Sequence, residues 1–114
     1  RNEQLPADAR VGKTFRIHIG PQPTSGKAWA IAGFAQRDGL AEARFEAKLN
    51  GQRLPAVGDL KTTKALGGAA ARAVRFVCPL AALQAGYNEL HLAQAAGSSS
   101  QQIVWLELRV EPSH

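Results

Sequence analysis

The sequence contains few cysteine, methionine and aromatic residues. It has one cysteine and no methionine in 114 residues, and Phe, Trp and Tyr together make up 6%. A single cysteine excludes an internal disulfide. Cys78 alternates with Val74 and Phe76 and precedes Pro79, so we expect it to be a small buried hydrophobe rather than a nucleophile.

Long apolar runs and clusters of one charge sign are also missing. No segment approaches the roughly 20 apolar residues that a membrane-spanning helix needs. The formal net charge is +5, from 14 basic and 9 acidic residues, but the Lys and Arg residues are scattered and form no recognisable nucleic-acid motif. We therefore predict no membrane partner and no nucleic-acid partner, and we attribute the excess positive charge to an ordinary solvated surface.

Motifs that carry catalysis are absent as well. There is no glycine-rich phosphate loop, nucleophile elbow or H-E-x-x-H sequence. Glu46 and Glu107 could share a face, but a two-carboxylate hydrolase needs a defined spacing across a cleft, which the sequence does not establish. His18 and His91 fall on the polar faces of two strands without the spacing of a metal site. We therefore predict a chain that is not an enzyme, with no metal site and no cofactor.

Alternation of apolar and polar residues is the strongest pattern that the sequence does have. The hydrophobic share of 45% is enough for a core, and the length suits a single domain. We predict one domain over 14–111, a lead-in or linker over 1–13, and a tail over 112–114. A helical turn at 80–86 is closed by Gly86. About seven segments read as strands, at 14–20, 28–36, 44–49, 52–57, 71–78, 87–94 and 101–110.

The segment 40–49, LAEARFEAKL, is ambiguous when taken alone. Its residues are good helix formers, whereas Phe45, Ala47 and Leu49 alternate with polar residues as in a strand. Asn50-Gly51 follows directly and is the strongest short signal for a hairpin turn. We therefore predict that 45–49 pairs with 52–56. About seven strands, short turns and one helical turn, with a long loop at 58–71, predict an all-β antiparallel β-sandwich with one short helical turn.

The last segment, QQIVWLELRV at 101–110, places a tryptophan beside an acid and a base. The alternation predicts that Val104, Leu106, Leu108 and Val110 face the core, and that Ile103, Trp105, Glu107 and Arg109 face outward. We predict that Trp105 is partly covered on the outer face and serves contact rather than catalysis. The expected core residues are Phe15, Ile17, Trp29, Phe45, Leu49, Phe76, Leu90, Leu92, Leu106 and Leu108.

Three segments together resemble a known family. They are FEAKLNGQRL (45–54), VRFVCPLAALQAGYNELHL (74–92) and IVWLELRV (103–110). Their order resembles the galactose-binding-like jelly-roll modules that accompany bacterial glycoside hydrolases and polysaccharide lyases. The resemblance implies a jelly roll, a neighbouring domain of a larger protein as the partner, and a secreted or periplasmic location. Some relatives carry a structural calcium ion, although no acidic calcium loop is recognisable in this sequence.

Two functions follow as hypotheses. The first is a non-catalytic accessory module of a carbohydrate-active enzyme, with a structural or interaction role in which Trp105 packs under a loop or against the neighbouring domain. The alternative is a carbohydrate-binding module in which a sugar stacks on Trp105 and planar polar groups make bidentate hydrogen bonds to the sugar hydroxyls. An open groove beside an exposed Trp105 favours the glycan, and burial favours packing. The candidate ligand residues, expected on one sheet, are Trp105, Glu107, Arg109, Arg75, His91, His18 and Arg16.

Overall fold

The computed structural model describes residues 3–61, 64 and 68–112. These residues form strands joined by turns and longer loops, with a 3-10 helix at Leu80–Ala82. The strands are β1 (Glu3–Leu5), β2 (Lys13–His18), β3 (Lys27–Phe34), β4 (Arg44–Leu49), β5 (Gln52–Arg53), β6 (Ala56–Asp59), β7 (Arg72–Val77), β8 (Tyr87–Ala96) and β9 (Gln101–Glu111).

The strands form two antiparallel sheets that pack face to face. The five-stranded sheet has the order β1-β9-β3-β7-β6, and the four-stranded sheet has the order β2-β8-β4-β5. Both sheets bury one face against the other, as in a β-sandwich. The predicted fold class, an all-β antiparallel β-sandwich with a short helical turn, is therefore confirmed.

The predicted linker over 1–13 is partly wrong. Glu3–Leu5 forms an edge strand antiparallel to β9, with Leu5 opposite Gln101. Leu5 is completely buried in the main core. A strand of three residues with one inward apolar side chain is too short for alternation to reveal. At the other end, Pro112 follows β9 outside any strand, and the rest of the predicted tail lies outside the described residues.

The hairpin at Asn50-Gly51 is confirmed. Both turn residues have positive φ, 51° and 86°, which is the backbone that a two-residue hairpin turn needs. Lys48 lies opposite Arg53 and Leu49 opposite Gln52. The returning strand ends earlier than predicted, at Arg53, because Pro55 has no N–H for the ladder. After this proline the chain crosses to the five-stranded sheet and continues as β6.

The core confirms most of the predicted residues and corrects one. Phe15, Leu49, Phe76, Leu90 and Leu92 are buried, and Ile17, Phe45, Leu106 and Leu108 pack against them while partly exposed. Trp29 was expected in this core, but it belongs to a second cluster on the outer face of the five-stranded sheet.

The inner face of β3 explains the position of Trp29. Ala28, Ala30 and Ala32 are the residues that point inward and are buried. Ala30 lies between Phe76 and Leu108 on the neighbouring strands. A methyl group at this position leaves room for the large side chains on both sides. The alanine face of β3 therefore belongs to the core, and because side chains alternate along a strand, Trp29 points outward.

A bulge in β9 changes the predicted faces of that strand. Trp105 lies opposite Gly33, and Ile103 lies opposite Phe34, so Val104 is an extra residue between two consecutive partners. Beyond such a bulge the alternation restarts one residue out of phase. Ile103 therefore points into the core and Val104 joins Trp105 outside, which is the reverse of the prediction. Leu106 and Leu108 point inward, as expected, whereas Val110 near the end of the strand is 36% exposed and not part of the core, contrary to the prediction.

Asn50 and Asn88 connect the hairpin turn to the segment before β8 through hydrogen bonds. Asn88 is completely buried. Its Oδ1 accepts hydrogen bonds from Asn50 Nδ2 (2.8 Å) and from the Gln84 backbone N–H (2.9 Å). Its Nδ2 donates to the Gln84 carbonyl at 3.0 Å. The Asn88 side chain thus satisfies local backbone groups, and its amide also reaches across to the turn residue Asn50.

We predict that Asn88→Ala destabilises the protein by about 2 kcal/mol or more, because it leaves several buried polar groups without a partner. Gln84→Ala is the matched control, since the Gln84 side chain makes one exposed hydrogen bond, to the Tyr87 carbonyl. Urea unfolding measures both. Equal destabilisation by the two substitutions would show that the buried amide has no special role.

Candidate functional site

Trp105, Glu107 and Arg109 lie on the outer face of the five-stranded sheet, where they are predicted. We call the outward side chains of β9, β3 and β7 the tryptophan face. It also contains Trp29 and Arg75. Three rows of directly opposed residues cross it from β9 through β3 to β7: Trp105–Gly33–Ala73, Glu107–Ile31–Arg75 and Arg109–Trp29–Val77.

The three predicted residues of β9 form a hydrogen-bonded chain. Trp105 Nε1 donates to Glu107 Oε1 at 2.9 Å. Arg109 Nη2 donates to the same oxygen at 2.9 Å, and Arg109 Nε donates to Glu107 Oε2 at 3.3 Å. Residues two apart on a strand share a face, so this pairing follows from the sequence spacing. It fixes the orientation of the indole and satisfies its only polar group.

Packing holds the Trp105 ring as well. Its cluster consists of the buried Ile31, Ala70 and Ala73 with the partly buried Trp29, Leu60, Val104 and Trp105. Gly33 has no side chain and separates Trp105 from Ala73 in their row, which leaves space on the sheet beside the indole. The prediction that Trp105 is outward and partly covered is confirmed.

The loop between β6 and β7 contributes to this cluster from both of its ends. The Leu60 N–H donates to the Ala73 carbonyl at 2.9 Å, and the Ala71 N–H donates to the Phe34 carbonyl at 2.8 Å. These two bonds fix the ends of the loop to the sheet, with Leu60 and Ala70 in the cluster. The two ends of the loop therefore cover part of the tryptophan face, which is one of the two arrangements expected for Trp105.

Trp105 also lines an open groove of about 300 Å³ between the two sheets. We call it the tryptophan groove. It lies where β2 forms the edge of one sheet and where β9, beyond its pairing with β1, forms the edge of the other. Trp105 thus belongs to a packed cluster on the outer face and also lines an open groove. The lining residues are Glu3, Phe15, Arg16, Ile17, Ile103, Val104, Trp105 and Leu106.

The seven candidate ligand residues do not lie on one sheet, contrary to the prediction. Arg75 is on the tryptophan face with the three residues of β9. Arg16, His18 and His91 are on the outer face of the four-stranded sheet, in β2 and β8. Alternation identifies which residues of one strand share a face, but it does not identify which strands share a sheet. Arg16 is the one residue of this second group that also reaches the tryptophan groove.

Arg75 is unusual for a charged residue. Its Nε is buried and has no hydrogen-bond partner. Its neighbours in the row are the apolar Ile31 and, on the edge strand β6, Gly58. Neither of these directly opposed residues offers a side-chain acceptor. Arg75 is separated from the β9 residues by the full width of β3.

The outer face of the four-stranded sheet also carries an aromatic residue that was not among the predicted candidates, Tyr87. The guanidinium of Arg16 lies 4.4 Å from the centre of the Tyr87 ring, within the range of a cation–π contact. His18 meets the same ring edge-on at 5.0 Å. Tyr87 is 53% exposed. Its outward direction could have been read from the alternation with Asn88, Leu90 and Leu92.

The side chains considered for catalysis are kept apart. Glu46 is on the four-stranded sheet and Glu107 on the five-stranded sheet, so the expectation that they could share a face is wrong. In the part of the chain that the structure describes, no three His, Cys, Asp or Glu residues lie close enough to hold a metal ion. Across those same residues, no helix is long and apolar enough to cross a membrane.

Cys78 is buried, as expected, with 2% of its surface exposed. Burial raises the pKa of its thiol to about 12, because an apolar environment disfavours the thiolate. The thiolate is the nucleophilic form of cysteine. The fold therefore holds Cys78 as an unreactive thiol.

No protein-family model matches this sequence, and no curated protein matches it either.

We predict that iodoacetamide modifies Cys78 in the native protein only as fast as the protein unfolds, because the thiol is buried and protonated. The urea-unfolded chain should react rapidly under the same mildly alkaline conditions. Mass spectrometry of quenched samples measures both rates. A native protein labelled as fast as the unfolded chain would contradict the burial and the raised pKa.

Proposed function

We propose that this chain is a non-catalytic accessory β-sandwich module of a larger protein, and that it acts through contact at the tryptophan groove. One observation carries the proposal: Trp105 is held in a fixed orientation and still lines an open groove. A side chain that is fixed before binding loses little conformational entropy when a partner arrives. This favours a contact residue over one that only fills space.

A glycan is the partner that suits the groove best. Sugars bind through aromatic rings that stack on their apolar C–H faces and through charged planar groups that fork onto their hydroxyls. The groove supplies Trp105 as the ring, and Arg16 and Glu3 as charged groups on its walls. Glu107 accepts the indole N–H and Arg109 holds that carboxylate in place, so stacking does not require the N–H.

The resemblance to jelly-roll modules of carbohydrate-active enzymes supports the same proposal. The hairpin at Asn50-Gly51 and the buried Asn88 occur in the segments that carry this resemblance, and both have structural roles in the fold. The resemblance therefore bears on the class of module, and the groove bears on its ligand. Together they favour a module that accompanies an enzyme acting on polysaccharide.

A second candidate partner is a neighbouring domain of the same protein. The groove is lined by Phe15, Ile17, Val104 and Leu106 as well as by its charged residues. Exposed apolar surface of this kind is typical of contacts between proteins. In this case Trp105 would anchor the neighbouring domain, and its substitution would not affect any glycan.

We predict that Trp105→Ala abolishes retention of the protein on polysaccharide gels in affinity electrophoresis. Trp29→Ala is the matched control, because Trp29 belongs to the same outer cluster but lines a different surface depression. Each substitution should lower the free energy of unfolding by on the order of 2–3 kcal/mol, since each removes a partly buried ring.

Only the groove variant should lose the glycan. Equal loss of retention in both variants would mean that destabilisation, rather than the groove, controls binding. A wild-type protein that no polysaccharide retains would contradict the glycan proposal and favour the neighbouring domain as partner.

A further inference from the structure

A row of basic residues crosses the outer face of the four-stranded sheet, away from the tryptophan face. Thr14 in β2 lies opposite His91 in β8, His91 lies opposite Lys48 in β4, and Lys48 lies opposite Arg53 in β5. Directly opposed side chains in a sheet have Cβ atoms about 5 Å apart, and like charges at such positions destabilise it. Lys48 therefore lies where the fold concentrates positive charge.

Acidic residues nearby balance this charge only in part. Glu46 Oε2 is 3.4 Å from Arg53 Nη2, and Asp8 Oδ1 is 3.2 Å from Arg10 Nε. Each of these two carboxylates therefore already forms an ion pair with an arginine. Within the residues that the structure describes, no ion pair or side-chain hydrogen bond involves Lys48. Its ammonium group is available to an anion from solution.

The basic row borders a cavity of about 280 Å³, which we call the basic pocket. A water molecule occupies about 30 Å³, so the pocket has room for an oxyanion together with several waters. Its walls carry the charges of Lys48, Arg53 and Arg10 against the single carboxylate of Glu46. The lining residues are Ala9, Arg10, Glu46, Ala47, Lys48, Arg53 and His91.

Two contacts fix the side of the pocket formed by His91. Thr14 Oγ1 and His91 Nδ1 are 2.8 Å apart, which is a hydrogen bond. Gly12 lies directly against the same ring: a Cβ added there would be 2.4 Å from His91 Nε2 and 2.3 Å from the Leu92 carbonyl oxygen. Only glycine allows this close approach. The chain before β2 is thereby held against the sheet, and Ala9 and Arg10 form a wall of the pocket.

We propose that the basic pocket binds an oxyanion, with Lys48 as its central cation. The ligand is a sulfate, phosphate or carboxylate group, either as a free ion or carried by a larger molecule. Charge-assisted hydrogen bonds from Lys48 and Arg53 would hold the oxygens, and the bound anion would relieve the repulsion within the basic row. This site is on the opposite sheet from the tryptophan face, so it does not depend on the proposed glycan groove.

Titration of the protein with sodium sulfate at constant ionic strength, followed by backbone amide chemical shifts, tests the proposal. Saturable shifts are expected at residues 9–10, 46–48, 53 and 91. Lys48→Gln should weaken the sulfate affinity about tenfold or more, the loss of roughly one charge-assisted contact. Lys27→Gln is the matched control, because Lys27 is exposed on β3 of the other sheet. This substitution removes the same charge, so the sulfate affinity should stay nearly unchanged.

The same titration with sulfated and unsulfated forms of one oligosaccharide distinguishes the two sources of the anion. Tighter binding of the sulfated sugar than of free sulfate, with no shifts at the pocket from the unsulfated sugar, assigns the site to an anionic group on a larger ligand. Equal affinity for the sulfated sugar and sulfate assigns it to the free ion. Both results support the pocket.

Three results would overturn the proposal. The first is the absence of saturable shifts at the pocket. The second is an equal loss of sulfate affinity in Lys48→Gln and Lys27→Gln, which would show that the affinity depends only on the protein's net charge. The third is tighter binding of a single-stranded oligonucleotide than of either anion, with shifts spread over the whole face, which would indicate a nucleic-acid surface. A thermal midpoint of Lys48→Gln equal to or above the parent's verifies that the variant is folded.

Discussion

The extra residue in β9 determines which side chains form the core and which form the surface that we propose as the contact site. Without the bulge at Val104, a strict alternation through the strand could not bury both Ile103 and Leu106. The bulge allows both to face the core, and it places Val104 and Trp105 side by side on the outer face. A bulge also increases the local twist of a strand, here beside the point where β1 stops pairing with β9.

The two outer faces of the sandwich differ in chemistry because their strands bury their apolar residues differently. On β3 the small alanines face the core, so the large apolar residues Trp29 and Ile31 are left outside, where the ends of the loop between β6 and β7 cover them in part. On β8, Leu90 and Leu92 face the core, and His91 is left outside in a charged row. One sheet therefore presents an aromatic surface and the other a basic surface.

Sequence patterns predicted the elements of this fold better than their assembly. The Asn50-Gly51 turn is a local signal with one dominant backbone solution, and it identified the hairpin against the helix propensity of the preceding residues. The inward position of Ile103 could not be predicted, because a bulge leaves no mark in the alternation except one misplaced residue. The distribution of Arg16 and Arg75 over different sheets is a matter of strand order, which depends on tertiary packing rather than on local pattern. The chain Trp105–Glu107–Arg109, by contrast, needed only the two-residue repeat of a strand.

We propose that Trp105 is anchored on its polar edge and still accessible from the groove. Acrylamide quenching of fluorescence in the Trp29→Phe variant measures this directly, since Trp105 is then the only tryptophan and the phenyl ring preserves the apolar cluster. We expect a quenching constant between those of a free indole and of a fully buried one. A ring that acrylamide cannot reach would show that the groove is closed, and a ring quenched as freely as indole in water would show that Trp105 is not held by Glu107 and its cluster.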